Sequence, residues 1–366
     1  MTNVKIIDSH PNNPETRRLR FLWQASATYF LTFLCVLYLS TGAWSRTSSK
    51  SSGSLAPKIF GEGVISTVDD EIGGSFSPDG REFYFIKQPP STRGPGYALI
   101  CVSRLAGSHW TEPVVLKFSG VFSNTPPQIT ADGKRMYFAS TRPVPGLPDG
   151  GLWIWYVERQ ADGWSEPKAL PAPINSAQAP NNADPSVAED GTLYFGSVRD
   201  ATGLFHIFRS RMVDGVYQDP ELLGPEINFP GANVFQPHIS PDQRFLIFGA
   251  QRDIRDKTVP LKKLPGELVA GGHPYPRTEL YVSEYKAGSW TPARHLEHGI
   301  NSPAEDEYPF LSPDGKTLFF SSERSDFTVP LKHPITYGEL DRKTNTIYNG
   351  HGNVYSISAE ALELSK

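Results

Sequence analysis

Cysteine is scarce: Cys35 and Cys101 are the only two in 366 residues. Two cysteines cannot build a disulfide framework or a cysteine zinc site. Charge is also modest, at 20 % of residues with a formal net charge of −4. That lacks the basic footprint of a dedicated nucleic-acid binder. His-Glu-x-x-His, an EF-hand loop and paired histidines at helical spacing are missing, and with them the usual metal-site signatures. Gly-x-Ser-x-Gly is missing too, which removes the nucleophile elbow of an α/β-hydrolase. What is plentiful is turn formers and rings: 32 Gly, 33 Pro and 12 % aromatic residues. Glycine and proline break helices while aromatics favour strands, so a helical bundle or coiled coil is excluded. With 38 % hydrophobic residues the chain can bury a core and is no disordered tail. The expected class is a loop-rich, all-β body.

The N-terminus reads as a separate object. Arg17-Arg18-Leu19-Arg20 precedes Phe21 to Leu39, an uncharged and mostly apolar stretch. Positive then apolar is the order of a secretory signal or a single membrane anchor, here as an N-terminal apolar helix. About 20 residues suffice to span a bilayer. Gln24, Ser26, Thr28 and Thr32 dilute the stretch, and Thr41-Gly42-Ala43 offers a small-residue cleavage site. Signal and anchor therefore both stay open. No lipobox surrounds Cys35, so a lipoprotein is not expected. A Ser/Thr/Gly-rich linker follows from Thr47 to Ser54. The expected organisation is a cytoplasmic segment 1–20, a signal or anchor 21–43, a linker 44–57 and a folded body 58–366. That body would be exported, periplasmic or extracellular, and held to the inner membrane if residues 21–40 stay uncleaved.

The folded body repeats. Phe76-Ser-Pro-Asp-Gly-Arg-Glu-Phe-Tyr-Phe85 returns as segments beginning at Ile129, Val187, Ile239 and Leu311. Their aspartates, Asp79, Asp132, Asp190, Asp242 and Asp314, lie 53, 58, 52 and 72 residues apart. Such a period marks stacked supersecondary units, none able to bury its apolar face alone. In each unit an apolar residue opens a strand. Ser-Pro-Asp-Gly then turns tightly, because Pro presets φ, Asp bonds its own backbone and Gly accepts positive φ. An alternating return strand follows, then a third such as Ile207 to Ser210. A fourth is opened by an aromatic, at Trp110, Trp164, Tyr217 and Trp290, and often closes on Ile-Asn (Ile174-Asn175, Ile227-Asn228, Ile300-Asn301). Four antiparallel strands per unit make a β-propeller blade. Five motifs predict five blades, with six as the alternative. The fifth unit ends at its third strand, Asn353 to Ile357, so Lys58 to Asp69 is expected to supply its outer strand and close the ring.

The Ser-Pro-Asp-Gly-x-x-Leu-Tyr-Phe core, the Ser-x-Arg after it and the Trp-x-x-Pro segment resemble the WD40-like PD40 repeats of TolB-type propellers. The resemblance covers the chain from about residue 58. It carries over only turn positions: the five aspartates with Gly80, Gly133, Gly191 and Gly315. Gln243 replaces the fifth glycine and leaves that turn's type open. The resemblance implies an exported scaffold or binding platform. Similar repeats form the propeller of prolyl-oligopeptidase-type enzymes, but those need the absent α/β-hydrolase domain. The 52 residues after Asp314 leave no room for one, so a peptidase is not expected.

Three features could carry chemistry. The second-to-third-strand loops of the last two units, Arg252 to Arg277 and Arg324 to Gly352, are long and share wording: Thr258-Val-Pro-Leu-Lys262 and Thr328-Val-Pro-Leu-Lys332. Long loops contact ligands or decorate a rim. A basic residue ends each second strand: Lys87, Arg142, Arg199, Arg252 and Arg324. These would either ring one face and grip an anionic ligand, since guanidinium forks hold carboxylates at two points, or pair with groups of the blade links such as Asp70, Glu305 and Asp306. Finally, the inner strands differ before the turn. Gly73, Pro126, Asp184, Gln236 and Tyr308 stand six before the aspartate, and Ser75, Gln128, Ser186, His238 and Phe310 four before. Glu307 neighbours Tyr308. His238 as base, with Asp184 and Glu307 as acid or divalent-metal ligands, would suit acid/base work; a polar water-filled channel is the plain alternative. His206, His273 and His333 read as loop or strand-end histidines.

The leading expectation is a noncatalytic, exported propeller that binds an envelope protein or an acidic glycan, with no resident cofactor and no nucleic acid. Arg142, Arg199, Arg252, Arg324, Gln236 and Tyr308 are its ligand-binding candidates. The alternative is a lyase or hydrolase acting on an acidic sugar at the propeller mouth.

Overall fold

The computed structural model describes residues 55–89, 97–252, 269–270, 273–274, 277–326 and 333–365. The expected N-terminal apolar helix and most of the linker lie outside them, as does the shared wording of the two long loops. Among the described residues no helix is long and apolar enough to cross a membrane.

Each turn motif heads one antiparallel blade, and there are five. Blade one comprises Asp70–Phe76, Glu82–Gln88, Leu99–Ala106 and Val114–Val115. Blade two comprises Gln128–Ile129, Arg135–Ser140, Trp153–Gln160 and Lys168–Ala169. Blade three comprises Asn182–Val187, Leu193–Ser197, His206–Ser210 and Glu221–Leu222. Blade four comprises Ala232–Ile239, Phe245–Arg252, Thr278–Lys286 and Arg294–His295. Blade five comprises Asp306–Leu311, Thr317–Ser322 and Asn353–Ser358, and its outer strand is Lys58–Ile59. Lys58 pairs with Ser356 and Ile59 with Tyr355. The two ends of the body thus close the ring within one blade, as the repeat count requires.

The turns form as their residues dictate. Ser77, Thr130, Ser240 and Ser312 donate their hydroxyls to the aspartate two residues on, at 2.6–2.8 Å. The residue after each aspartate has positive φ, +69° at Gly80 and +56° at Gln243. Gln243 keeps the same turn, its N–H donating to the Ser240 carbonyl at 2.8 Å as that of Gly80 does to Ser77. Its side chain reaches blade three, donating to Asp190 at 2.8 Å and accepting from the Tyr194 hydroxyl at 3.0 Å.

The fourth strand is split rather than continuous. The aromatic sits in a two-residue strand such as Gly163–Trp164, which extends the third strand's hairpin. The outer strand begins only after Pro167, because proline has no N–H to continue a ladder. The aromatic staples its blade to the preceding one. Trp164 meets Tyr84 edge-on at 5.8 Å, Trp290 meets Tyr194 at 6.4 Å, and the Tyr217 hydroxyl lies 3.4 Å from that of Tyr137. Trp110 packs on Phe60, which packs on Phe319 of blade five. Blade five has no such aromatic, and Ala361 and Leu362 of a short 3-10 turn cluster with Ile247 of blade four instead. The Ile-Asn endings have a plain use. Asn175, Asn228 and Asn301 each accept a third-strand N–H and donate to the carbonyl of that same residue, joining third strand to outer strand where backbone pairing stops.

Candidate functional site

Lys87, Arg142, Arg199 and Arg324, four of the five basic residues that end the second strands, are engaged at home, and the side chain of Arg252 lies outside the described residues. Lys87 bonds Glu71, which is fully buried, at 2.6 Å. Arg199 donates to the Ile174 carbonyl at 2.8 Å and to Asn182 at 3.0 Å, and lies over the rings of Phe195 and Phe208. Burial pulls its pKa down to about 10. Arg324 donates to the Ile300 carbonyl at 2.7 Å and to fully buried Asp306 at 2.9 Å, over Phe320 and Tyr355. Arg142 donates to the Phe118 carbonyl at 2.7 Å and stacks on Phe122 and Trp155. Arg252 ends its strand opposite Ala232. Lys87, Arg199 and Arg324 each bridge their blade's inner strand to the link before it, while Arg142 holds the link alone. The long loop after Arg324 holds a surface helix, Tyr337–Thr344, capped by Thr336 and Glu339 and burying no residue.

The inner strands bring the other candidates together. Four of them bulge at the same level, between Ile72 and Ser75, Ala183 and Ser186, Phe235 and His238, and Glu307 and Phe310. Gly73, Asp184, Gln236 and Tyr308 sit in these bulges with φ of +50° to +56°. Pro126 takes the level in blade two. A Cβ on Gly73 would lie 2.5 Å from that of Pro126 and 3.1 Å from that of Tyr308, so closing the ring here demands glycine. Non-glycine residues rarely hold positive φ, and three in one ring is stored backbone strain of about 1–3 kcal/mol each.

Gln236 organises this ring. Its side-chain amide donates to Glu307 at 3.1 Å, its carbonyl accepts the Tyr308 N–H at 3.2 Å, and its backbone N–H bonds the Asp184 carboxylate. Asp184 Oδ1 is buried without a hydrogen-bond partner among the described residues. Burial raises Asp184 to about 7 and Glu307 to about 8, the latter also pushed up by Glu323, Glu305 and Asp184. Burial likewise pushes the Tyr308 phenol up. The enclosed space at this level is about 40 Å³, room for one water or two. Asp184, Gln236, Glu307 and Tyr308 therefore converge at this level. His238 lines the same small space and also faces the wider one on the turn side, and no group of three or more His, Cys, Asp or Glu is placed to hold a metal among the described residues.

Below the constriction the channel opens, on the turn face, into a funnel of about 1,090 Å³. Its wall is the apolar residue that opens each repeat: Phe76, Ile129, Val187, Ile239 and Leu311. Pro78, Pro241 and Pro313 of the turns form much of the rim. Side chains one step deeper tie neighbouring inner strands together. Ser75 accepts the Ile129 N–H at 3.0 Å, Gln128 that of Val187 at 3.2 Å and Ser186 that of Ile239 at 3.1 Å. The next two in this series are His238 and Phe310, which break it, and the funnel extends there between blades four and five. His238 is half-buried, and burial pulls its imidazole down to about 4, so it stays neutral at physiological pH.

Sequence reasoning looked for the site at the link side and missed this funnel. The signal was present: Glu189 and Ala131 stand where the other turns carry proline. Of the remaining histidines, His206 is buried and bonded to Asp200, and His333 is exposed.

No family model matches this chain, and no curated protein does. Among solved structures it is similar to one assigned as TolB from Agrobacterium tumefaciens, at 14 % identity and a TM-score of 0.42, covering 79 % of this chain and 90 % of that one. It is also similar to a GH43 endo-arabinanase from Bacillus licheniformis, at 12 % and 0.45, covering 81 % and 96 %. A third is the endosialidase of phage phi92, at 10 % and 0.45, covering 84 % and 69 %. Likeness at this level concerns the fold alone.

Proposed function

We propose that this chain is an exported, noncatalytic propeller that binds an extended segment of an envelope protein in its turn-face funnel. The observation that carries the reading is the funnel itself: a cavity of about 1,090 Å³ walled by five apolar side chains and rimmed by prolines. Binding sites of this kind are concave, mostly apolar and supplied with a few polar groups. The constriction at Gln236 gives the funnel a floor, and neutral His238 can donate or accept one hydrogen bond from a bound backbone. Arg142, Arg199 and Arg324, candidates for gripping an acidic glycan, are held by their own blades and links, which favours the protein partner over the glycan. The test is a photo-crosslinking residue placed at exposed Ala131 on the funnel and, separately, at exposed Val115 on the outer edge. The reading expects one protein captured at Ala131 and not at Val115; equal capture at both sites would refute it. Cell fractionation should place the chain outside the cytoplasm.

A second reading, a hydrolase or lyase acting on an acidic sugar, draws on one observation. Asp184 and Glu307 are both bonded to Gln236 and are held near 7 and 8, the range of working acids and bases. Product release from acidic polysaccharides, lost in Glu307→Gln, would support it. Release that the substitution leaves unchanged would end it.

A further inference from the structure

We infer that the segment held on the turn face carries lysine or arginine, and lies extended in a trench that crosses the whole disc. This rests on the reading that the funnel takes a protein segment, and it specifies that segment's chemistry and path. A second cavity of about 450 Å³ lies between blades two and three and shares Thr130, Ala131, Val187 and Glu189 with the funnel. The two therefore run into one another. At the opposite end the funnel reaches Leu364 and Glu360 beside blades four and five. The path has a local cause at each end. Blades two and three carry Ala131 and Glu189 where the other rims carry proline, and the ties between inner strands stop at His238.

Charge selects the occupant. Most charged groups along the trench are already matched within the chain. Lys134 pairs with Asp132 at 3.3 Å, Arg244 with Asp242 at 2.5 Å and Lys316 with Asp314 at 3.3 Å. Glu363 pairs with His298 at 2.8 Å. Glu189 and Glu360 are exposed, line the trench and make no side-chain hydrogen bond or ion pair among the described residues. They leave the trench with unmatched negative charge at its centre and at one end. A cationic segment with apolar residues between its charges complements this surface, whereas an acidic chain meets like charge.

The experiment is a selection of random 12-residue peptides on the full chain, followed by measured affinity of the winners for variants. Selected peptides should be rich in Lys or Arg and bind more weakly as salt rises. Glu189→Gln should weaken them about fivefold and Glu189→Lys further. Ala131→Trp, which fills the shared wall from an exposed turn position, should abolish binding. Peptides blocked by Ala131→Trp but not enriched in basic residues, and indifferent to Glu189→Lys, would overturn the charge inference while leaving the funnel reading intact. Peptides indifferent to Ala131→Trp, or no selected peptides at all, would overturn both.

Discussion

Two sets of polar residues lie a few positions apart in every blade and are used in opposite ways. The cation ending each second strand recurs from blade to blade, and Lys87, Arg142, Arg199 and Arg324 are spent on their own blades and the links that lead into them. The residue in each inner-strand bulge changes from blade to blade, as Gly73, Pro126, Asp184, Gln236 and Tyr308, and faces its counterparts across the channel. Repetition here signals a contact every unit must make for itself. Departure from the repeat marks where five units meet and where one surface can be specific.

The largest effect expected from breaking this contrast is at Arg324. Arg324→Ala strands Asp306, which is fully buried and already raised by that burial. Removing one partner of a buried pair typically costs about 3–5 kcal/mol. Arg199→Ala should cost less, about 1–3 kcal/mol, since its partners Asn182 and the Ile174 carbonyl are neutral. Denaturant midpoints would measure both. Unchanged midpoints would return these arginines to the pool of ligand groups.

The channel ring gives a smaller effect with a definite sign. Asp184 and Glu307 have folded pKa values of about 7 and 8, above ordinary carboxyls. Their contribution to stability is complete below the unfolded pKa near 4 and is lost as pH rises through 7 and 8. His238, depressed to about 4, acts oppositely, its contribution being lost as pH falls from about 6.5 toward 4. Between about pH 6.5 and 8 these two act together with Glu323, which burial also raises to about 7, so stability should fall with pH, by at most about 1.4 kcal/mol per unit for each group. Asp184→Asn should flatten the slope, and asparagine tolerates the positive φ found there. A slope unchanged in the variant would mean that Asp184 ionises freely in the channel.

How much of this was legible follows from how local each feature is. The turns, the blade count and the closing strand rest on short motifs and their spacing, so the sequence carries them outright. The role of Arg199 and Arg324 was legible only as a pair of alternatives, because what they hold is a backbone carbonyl some 24 or 25 residues away that no side-chain pattern announces. Counting back from the turn put Asp184, Gln236 and Tyr308 at one level, yet it also put His238 in their company. The structure keeps that company: His238, just past the bulge, lines the small space with them and the funnel as well. A bulge leaves no periodic trace when the residues in it differ in every strand. The trench we infer was written in Ala131 and Glu189, the two turn residues that replace proline, but its meaning depends on a neighbouring blade's surface.

The smallest effect tests the comparison where repeat and departure coincide. Gln243 occupies a position every other blade gives to glycine, and it holds φ of +56°. Gln243→Gly would relieve that conformation, a gain of about 1 kcal/mol for a side chain held in the left-handed region. It would also remove the bonds to Asp190 and Tyr194 that tie blade four to blade three. Two partly exposed hydrogen bonds contribute about 0.5–1.5 kcal/mol each. The terms partly cancel, so stability should fall by about 0–2 kcal/mol. A double-mutant cycle with Tyr194→Phe separates them: if Gln243 is an interblade tie, the glycine variant should cost less once the tyrosine hydroxyl is gone. Strict additivity would mean that Gln243 is merely a tolerated departure, and that not every break in the repeat carries a function.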